Sequence, residues 1–254
     1  MHRSQPTLVG FPELLPSAAG RLFEEELRVL GKVKQNPERP CIFILGGAKI
    51  LDAFRMMRSA LEDGSADRIL TTGLVAQIML KAKGIPLGRA SESYLEKKNL
   101  LEFVPAAAQS LETHSDRIVC PEDFAVDSGG QRREVAAGAL PDEETIADIG
   151  EKTISRYCEL IARSKTVFVN GPAGVYEKPP FALGTRRIWE AVGSAEAFSV
   201  LGGGDSIAAA SLFGVQEGIS FISTAGGGLI RFLAGEKLAV VEALEKSATK
   251  HRPR

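Results

Sequence analysis

The chain has 254 residues, of which 44% are hydrophobic and 25% charged, and its formal net charge is -1 at pH 7. This length supplies enough apolar sequence for one large α/β domain or two smaller ones. The balanced charge argues against a nucleic-acid-binding protein, and the absence of any apolar run of about 18 residues argues against a membrane protein.

The N-terminal residues Met1–Pro6 contain no apolar stretch, so we expect no signal peptide. Three cysteines, Cys41, Cys120 and Cys158, are odd in number and widely spaced, which is typical of free thiols in a reducing cytoplasm. The three histidines are scattered and none lies near a cysteine cluster, so the sequence indicates no transition metal caged by protein ligands. We therefore expect a cytoplasmic protein.

The first predicted helix follows a proline-rich start. Residues 1–16 are interrupted by three prolines and predict no long element. A helix is predicted over 18–33, with Ser17 as its N-cap and an apolar stripe along one side. Asn36–Pro40 contains two prolines and is expected to end this helix.

Short apolar strands that end at glycine recur along the rest of the chain. Helix-like sequence separates them, over about 48–61, 75–83 and 94–109. This alternation predicts an α/β fold, specifically a three-layer, Rossmann-like open parallel β-sheet with helices on both faces. The predicted strands cover 41–45, 68–72, 166–169, 198–201 and 219–223.

The stretch 121–145 has the weakest signals for regular structure. It contains Ser128–Gly130 and the charged run Gln131–Glu134, and we predict a long, partly irregular connection here. After Asp148–Gly150 a helix is predicted to lead into the strand at 166–169.

The glycines fall at the carboxyl ends of the predicted strands, where open α/β sheets bind their ligands. Glycine lets backbone N–H groups approach an anion, and the N-terminus of the next helix favours negative charge. Several such loops together indicate a nucleotide with several phosphates. The sequence lacks G-x-x-x-x-G-K-[ST], and no G-x-G-x-x-G follows the first strand, which disfavours a P-loop NTPase and a dinucleotide-binding domain.

Four glycine-containing segments, in their order along the chain, resemble the C-terminal, nucleotide-binding domain of phosphoglycerate kinase. They are Gly46–Lys49 (GGAK), Asn170–Glu177 (NGPAGVYE), Gly202–Ser206 (GGGDS) and Ser223–Gly228 (STAGGG). The resemblance extends through the segments at 36–40, 80–84 and 148–150 and covers nearly the whole chain.

The resemblance implies a division of the chain into three parts. Residues 1–16 would be a remnant of the N-terminal substrate domain, 17–34 the interdomain helix, and 35–254 the nucleotide-binding domain. The N-terminal substrate domain itself would be absent from this chain.

The resemblance also implies an enzyme of glycolysis and gluconeogenesis, which transfers a phosphoryl group between 1,3-bisphosphoglycerate and Mg-ADP to give 3-phosphoglycerate and ATP. Its cofactors would be ATP or ADP and Mg²⁺, with Asp205 as the metal ligand. Arg3 and His2 would contact the phosphoglycerate. The catalytic residues would be Lys49, Gly203 and Gly227. The nucleotide would contact Gly46, Gly47, Lys49, Gly73, Leu74, Asn170, Pro172, Gly174, Val175, Glu177, Gly202, Gly203, Gly204, Asp205 and Ser206.

We expect the chain alone to be a monomer that binds nucleotide and is nearly inactive, because the acid substrate and an essential arginine would come from the absent domain. One departure from the family pattern concerns Ala53. Many members carry a second lysine at this position, four residues after Lys49, and it is thought to steady the moving phosphoryl group.

Several of these residues also have a purely structural interpretation. Asp205 is a favoured helix N-cap, and Asn170 could form a turn. Lys49 and Glu177 could be solvated surface charges. For the whole chain, the alternatives are a non-catalytic adenine-nucleotide-binding module and an unrelated α/β enzyme with a coincidental glycine pattern. The sequence leaves the choice between ADP and GDP open.

Overall fold

A six-stranded β-sheet lies at the centre of the fold. The structure is a computed structural model, and it describes residues 1–251. The strands are β1 (Cys41–Leu45), β2 (Arg68–Thr71), β3 (Ile118–Val119), β4 (Asp123–Ser128), β5 (Gln131–Ala136), β6 (Thr145–Ile149), β7 (Thr166–Asn170), β8 (Phe198–Gly202) and β9 (Phe221–Ile222). The α-helices are α1 (Pro6–Val9), α2 (Phe11–Leu14), α3 (Arg21–Gln35), α4 (Ile50–Glu62), α5 (Gly73–Ala82), α6 (Arg89–Lys97), α7 (Val104–His114), α8 (Glu151–Ala162), α9 (Leu183–Ser194), α10 (Gly204–Leu212), α11 (Gly227–Leu233) and α12 (Ala239–Lys250).

The strands of the central sheet are all parallel, in the order β3-β2-β1-β7-β8-β9. The pairing register places Leu45 of β1 beside Asn170 of β7, and Asn170 beside Gly202 of β8. These three strands therefore end at one level, and the glycine loops that follow them share one edge of the sheet.

Successive side chains of the central strands enter two hydrophobic cores on opposite faces of the sheet. In β1, Phe43 belongs to one core and Ile44 to the other. Side chains of α3, α4 and α11 complete the first core, and those of α8, α9 and α10 complete the second. A strand covered on both faces needs apolar residues at every position, which explains the continuous apolar run of β1. The predicted fold class, a three-layer Rossmann-like open parallel sheet, is confirmed.

A second, three-stranded antiparallel sheet, in the order β5-β4-β6, occupies the stretch predicted as an irregular connection over 121–145. That prediction was wrong. The turn between β4 and β5 contains Gly129 and Gly130, both with positive φ (60° and 85°), as tight hairpin turns require. Strand β5 carries mainly exposed polar and charged side chains, so it lacks the apolar run that identified the central strands.

The helix predicted over 94–109 is interrupted. Helix α6 ends at Lys97, and Asn99 adopts a left-handed conformation with φ of 56°. A 3₁₀ turn over Leu100–Phe103 then leads into α7. Asparagine tolerates the left-handed region better than most residues, so one position redirects the chain.

The first long helix, α3, begins at Arg21, after Gly20 at its N-cap position. The predicted capping role of Ser17 was therefore wrong. The Ser17 hydroxyl donates a hydrogen bond to the Leu15 carbonyl (3.1 Å), and the Ser17 backbone N–H donates to the Ser247 hydroxyl (3.2 Å). The bond to Ser247 attaches the segment before α3 to α12.

Among the helices of residues 1–251, none is both long enough and apolar enough to cross a membrane.

The hairpin glycines provide a direct test of the second sheet. We expect Gly130→Ala to lower the free energy of unfolding by about 1–2 kcal/mol, because a Cβ is strained at positive φ. Gly138→Ala is the matched control. It lies nearby without positive φ and with no atom within 4 Å of an added Cβ, so it should be neutral or slightly stabilising. Urea unfolding of both variants measures the difference, and equal effects would contradict the hairpin.

Candidate active site

The loops after β1 and β7 pack directly against each other through their backbones. Gly46 N–H donates to the Asn170 carbonyl and Gly47 N–H to the Pro172 carbonyl, each at 2.9 Å. A Cβ on Gly171 would lie 2.1 Å from the Gly46 carbonyl oxygen, and one on Gly46 would lie 2.6 Å from the Pro172 carbonyl oxygen. These glycines are thus required by loop packing, and the N–H groups of Gly46 and Gly47 are already bonded to carbonyls.

Asn170 and Ser206 link the loop after β7 to the loop after β8. The Asn170 side-chain amide donates to the Gly202 carbonyl (3.0 Å), and Gly171 N–H donates to the Ser206 hydroxyl (2.7 Å). Both side chains are buried. Gly203, with φ of 90°, lies against this contact, and a Cβ there would be 2.9 Å from the Asn170 side-chain nitrogen. Asn170 thus has a structural role that differs from the local turn considered for it, since its side chain joins two loops that are 32 positions apart.

Lys49 and Asp205 face each other across an opening formed by these loops. Lys49 stands at the N-cap position of α4, and Asp205 lies in the first turn of α10. The Lys49 Nζ and Asp205 Oδ2 atoms are 3.7 Å apart, and the side chains are 59% and 60% exposed. Such an exposed pair stabilises a fold very little, so both groups remain available to a ligand.

The N-terminus of α10 opens toward solvent beside Asp205. No atom lies within 4 Å of a Cβ built on Gly204, so the first turn of this helix is uncovered. The N-termini of α4 and α10 converge at the same opening, and their dipoles favour negative charge there. The smaller opening is lined by Gly46–Lys49, Asn170, Gly171, Gly203, Asp205 and Ser206.

A larger cavity of about 470 Å³ adjoins this opening and shares Gly47, Ala48 and Asp205 with it. It lies between the loops of the central sheet and the small sheet. Of the residues expected to bind nucleotide, Gly73, Leu74, Pro172, Gly174, Val175 and Glu177 line it. Its lining also includes residues that the sequence analysis missed, among them Gln77, Ser91, Tyr94, Phe124, Ile146 and Asp148.

Asp148 connects the small sheet to the loop that follows β7. Its Oδ2 atom accepts hydrogen bonds from the Arg132 guanidinium and from Gly184 N–H, both at 2.7 Å. A Cβ on Gly174 would lie 2.5 Å from Asp148 Oδ1, so the loop rests directly on this carboxylate. Burial raises the pKa of Asp148 to about 6, against the opposing effects of Gly184 N–H and Arg132.

His2 and Gly227 pack against each other outside the lining of these two openings. A Cβ on Gly227 would lie 2.9 Å from the His2 ring, and burial, with the nearby Arg231 charge, lowers the pKa of His2. Within residues 1–251, His2, Arg3 and Gly227 do not line either opening.

Helix α3 is tied to the loop that precedes Gly227. The buried Glu26 carboxylate accepts hydrogen bonds from Thr224 N–H (2.6 Å) and from the Ser223 hydroxyl (2.7 Å). A movement of α3 would therefore be transmitted to this loop.

Ala53, at the position of the expected second lysine, is only 1% exposed and belongs to the core under α4. No residue of α4 lines the smaller opening. The transition-state contact expected of a lysine at this position has no equivalent on α4.

The family model of phosphoglycerate kinase matches residues 1–236. The phosphoglycerate kinase of Methanothermus fervidus is 45% identical over 246 residues, which cover 97% of this chain and 60% of that protein. The enzyme of Pyrococcus abyssi is 44% identical over 255 residues, covering 99% of this chain and 62% of the relative. The chain thus spans about 60% of the length of the curated relatives it matches.

Solved structures give the same result. The crystal structure of phosphoglycerate kinase from Pyrococcus horikoshii OT3 matches with a TM-score of 0.92 and 40% identity, covering 98% of this chain and 62% of that one. The structure of phosphoglycerate kinase from Coxiella burnetii matches with a TM-score of 0.88 and 30% identity, covering 98% and 64%.

The Arg132–Asp148 contact can be tested by removing the cation. We expect Arg132→Met to lower the free energy of unfolding by about 3 kcal/mol at pH 8, because it leaves a buried carboxylate unpaired. The loss should be smaller at pH 5. The folded-state pKa of Asp148 is raised to about 6, so at pH 5 the carboxyl is largely protonated and needs the cation less.

Arg133→Met is the matched control for this test. Arg133 is the neighbouring residue, its side chain is 48% exposed, and it pairs with Glu144 at the surface. This variant should unfold like the unmodified chain at both pH values. Equal destabilisation by the two substitutions, or a loss at Arg132 that does not grow with pH, would contradict the assigned network.

Proposed function

This chain belongs to the phosphoglycerate kinase family, and on that premise we propose that it is the C-terminal, nucleotide-binding part of such an enzyme. In this proposal residues 1–16 end the N-terminal substrate domain, 17–34 contain the interdomain helix, and 35–254 form the nucleotide-binding domain, whose last three residues lie outside the described part. The match over 98% of this chain but only 62% of a solved relative supports a chain that corresponds to one part of such an enzyme.

The proposed reaction moves a phosphoryl group from the acyl phosphate of 1,3-bisphosphoglycerate to the terminal phosphate of ADP, giving 3-phosphoglycerate and ATP. The observation that carries it is the meeting of Lys49 and Asp205 over the N-termini of α4 and α10. Phosphoryl transfer needs little covalent chemistry from the protein and depends on positioning and charge neutralisation. A lysine and two helix N-termini supply positive potential where the phosphates would lie.

The residues around Asp205 fit a magnesium ion that is bound together with a nucleotide. Mg²⁺ commonly takes one or two carboxylates and completes its shell with phosphate oxygens and waters. Asp205 offers one exposed carboxylate beside the open space over Gly204. When bound there, the ion would neutralise charge on the phosphates. Asp205 would hold it, and Lys49 would contact the phosphates from the opposite side.

The larger cavity would hold the nucleoside. Leu74 and Val175 would contact the adenine, and the exposed Glu177 would accept hydrogen bonds from the ribose hydroxyls. A cavity of this size is within the usual range for small-molecule sites. Asp148 supports the wall of this cavity, because its carboxylate lies directly against Gly174.

Arg3 and His2 would contact the phosphoglycerate, with Gly227 on the same side of the site. The close packing of His2 on Gly227 and the contact of Glu26 with Thr224 support this placement, since they join α3 and the N-terminal residues to the loop before α11. Closure of the two domains would expel water from the reacting groups. We place the enzyme in the cytoplasm, as a monomer.

The second candidate is a non-catalytic adenine-nucleotide-binding module. The specific observation that favours it is the buried Ala53, which removes the second lysine from the site. Both candidates predict nucleotide binding, and turnover separates them.

The first test is a calorimetric titration of the chain with ADP, with and without Mg²⁺. We expect one-site binding that Mg²⁺ strengthens. Asp205→Ala should abolish the strengthening by Mg²⁺, and Lys49→Met should weaken binding about 10-fold or more, because each removes a charged contact to the phosphates. The controls are Asp116→Ala and Lys152→Met, which change an exposed aspartate and another exposed lysine at a helix start. If Asp205→Ala and Lys49→Met both bind ADP with wild-type affinity and wild-type dependence on Mg²⁺, the assigned site is wrong.

The second test measures turnover of 1,3-bisphosphoglycerate and ADP. We expect the 254-residue chain alone to be at least about 100-fold slower than a fusion carrying the N-terminal domain of the Methanothermus fervidus relative, because positioning the acid substrate supplies much of the rate. The control is the fusion with Asp205→Ala, which should lose the increase in turnover that the added domain gives. A fusion that binds Mg-ADP without turnover would favour the non-catalytic module.

A further inference from the structure

Gln77 is a buried polar residue whose side chain has no partner. It lies on α5, four residues after Gly73 and therefore on the same helical face. Its side chain is 4% exposed and lines the larger cavity. Within residues 1–251 its amide makes no hydrogen bond. Neither amide atom is among the buried unpartnered polar atoms of the described residues, so both are reached from the cavity and are available to hydrogen-bond a ligand there.

The surroundings of Gln77 restrict what that ligand can be. Leu74, Phe124 and Ile146 line the same cavity with apolar surface. Ser91 also lines it, and its hydroxyl accepts a hydrogen bond from Ile146 N–H (3.1 Å), which leaves the hydroxyl proton free to be donated. Apolar walls with a few hydrogen-bonding groups suit a flat heteroaromatic ring, whose faces are apolar and whose edge carries donors and acceptors.

We propose that Gln77 hydrogen-bonds the edge of the purine base and sets the preference of the site among bases. The inference rests on the proposed nucleotide-binding function and deepens it. The side-chain carbonyl would accept from the exocyclic amino group of adenine, and the amide NH₂ would donate to the neighbouring ring nitrogen. A carboxylate only accepts hydrogen bonds, so it would match guanine, which presents two adjacent donors on its ring N–H and amino group.

The test uses two substitutions that keep the length of the side chain. Gln77→Met removes both hydrogen bonds, and calorimetry should show binding of Mg-ADP weakened about 5- to 30-fold. Gln77→Glu, measured at pH 8 to favour the ionised carboxylate, should change the ratio of GDP to ADP affinity about 10-fold in favour of GDP. The matched control is Gln109→Met on α7, an exposed glutamine whose replacement should leave both affinities unchanged.

Each result decides the inference. A purely structural role for Gln77 would not change the base preference in Gln77→Glu. This measurement supports the inference even if circular dichroism shows that Gln77→Met fails to fold. The inference would be overturned if the wild-type chain binds Mg-ADP, Gln77→Met binds it with the same affinity, and Gln77→Glu keeps the same ratio of GDP to ADP affinity. The proposed function would remain intact. A wild-type chain that binds no nucleotide would overturn both.

Discussion

The backbone contact between the loops after β1 and β7 is the constraint on which the rest of the site depends. No side chain separates Gly46 and Gly47 from Gly171, and a single Cβ at Gly171 would meet the Gly46 carbonyl oxygen at 2.1 Å. The loop after β7 also binds the loop after β8 through Asn170 and Ser206. Helices α4 and α10 therefore start at the same opening, although their first residues are more than 150 positions apart in the sequence. The 3.7 Å approach of Lys49 to Asp205 follows from backbone packing rather than from attraction between two exposed charges.

The two ends of the candidate site are built from different sheets. The phosphate end would use the loops of the central sheet, and the base end would use residues of the small antiparallel sheet such as Phe124 and Ile146. Asp148 joins them, because its carboxylate binds Arg132 of β5 and supports Gly174 of the loop after β7. A buried ion pair contributes little net stability over apolar packing, but breaking it is costly, which makes it suitable for fixing one arrangement of two sheets.

The sequence predicted five of the six central strands because parallel strands buried on both faces must be continuously apolar, as in β1. It missed the edge strand β3, which is only two residues long. It did not predict the small sheet, because β5 is mostly exposed and its residues Gln131–Glu134 resemble a loop. The pair Gly129–Gly130 was a usable hairpin signal that was interpreted as irregular. The glycine loops were also predictable, but the bonding of the Gly46 and Gly47 N–H groups to carbonyls was not, because those partners come from another strand. Gln77 belongs to no motif, and only the fold places it against the cavity.

In the proposed enzyme, the position of Ala53 would separate nucleotide binding from phosphoryl transfer. Because Ala53 belongs to the core, a lysine at 53 would have to leave the core to reach a phosphate at the opening. Lys49, Asp205 and two helix N-termini would attract phosphates together with a metal ion. The charge on the phosphoryl group being transferred would then have to be neutralised from the side of the site where His2 packs on Gly227. In the proposed enzyme, affinity for the nucleotide thus resides in the loops of the central sheet, whereas the rate depends on what α3 and the N-terminal residues bring to them.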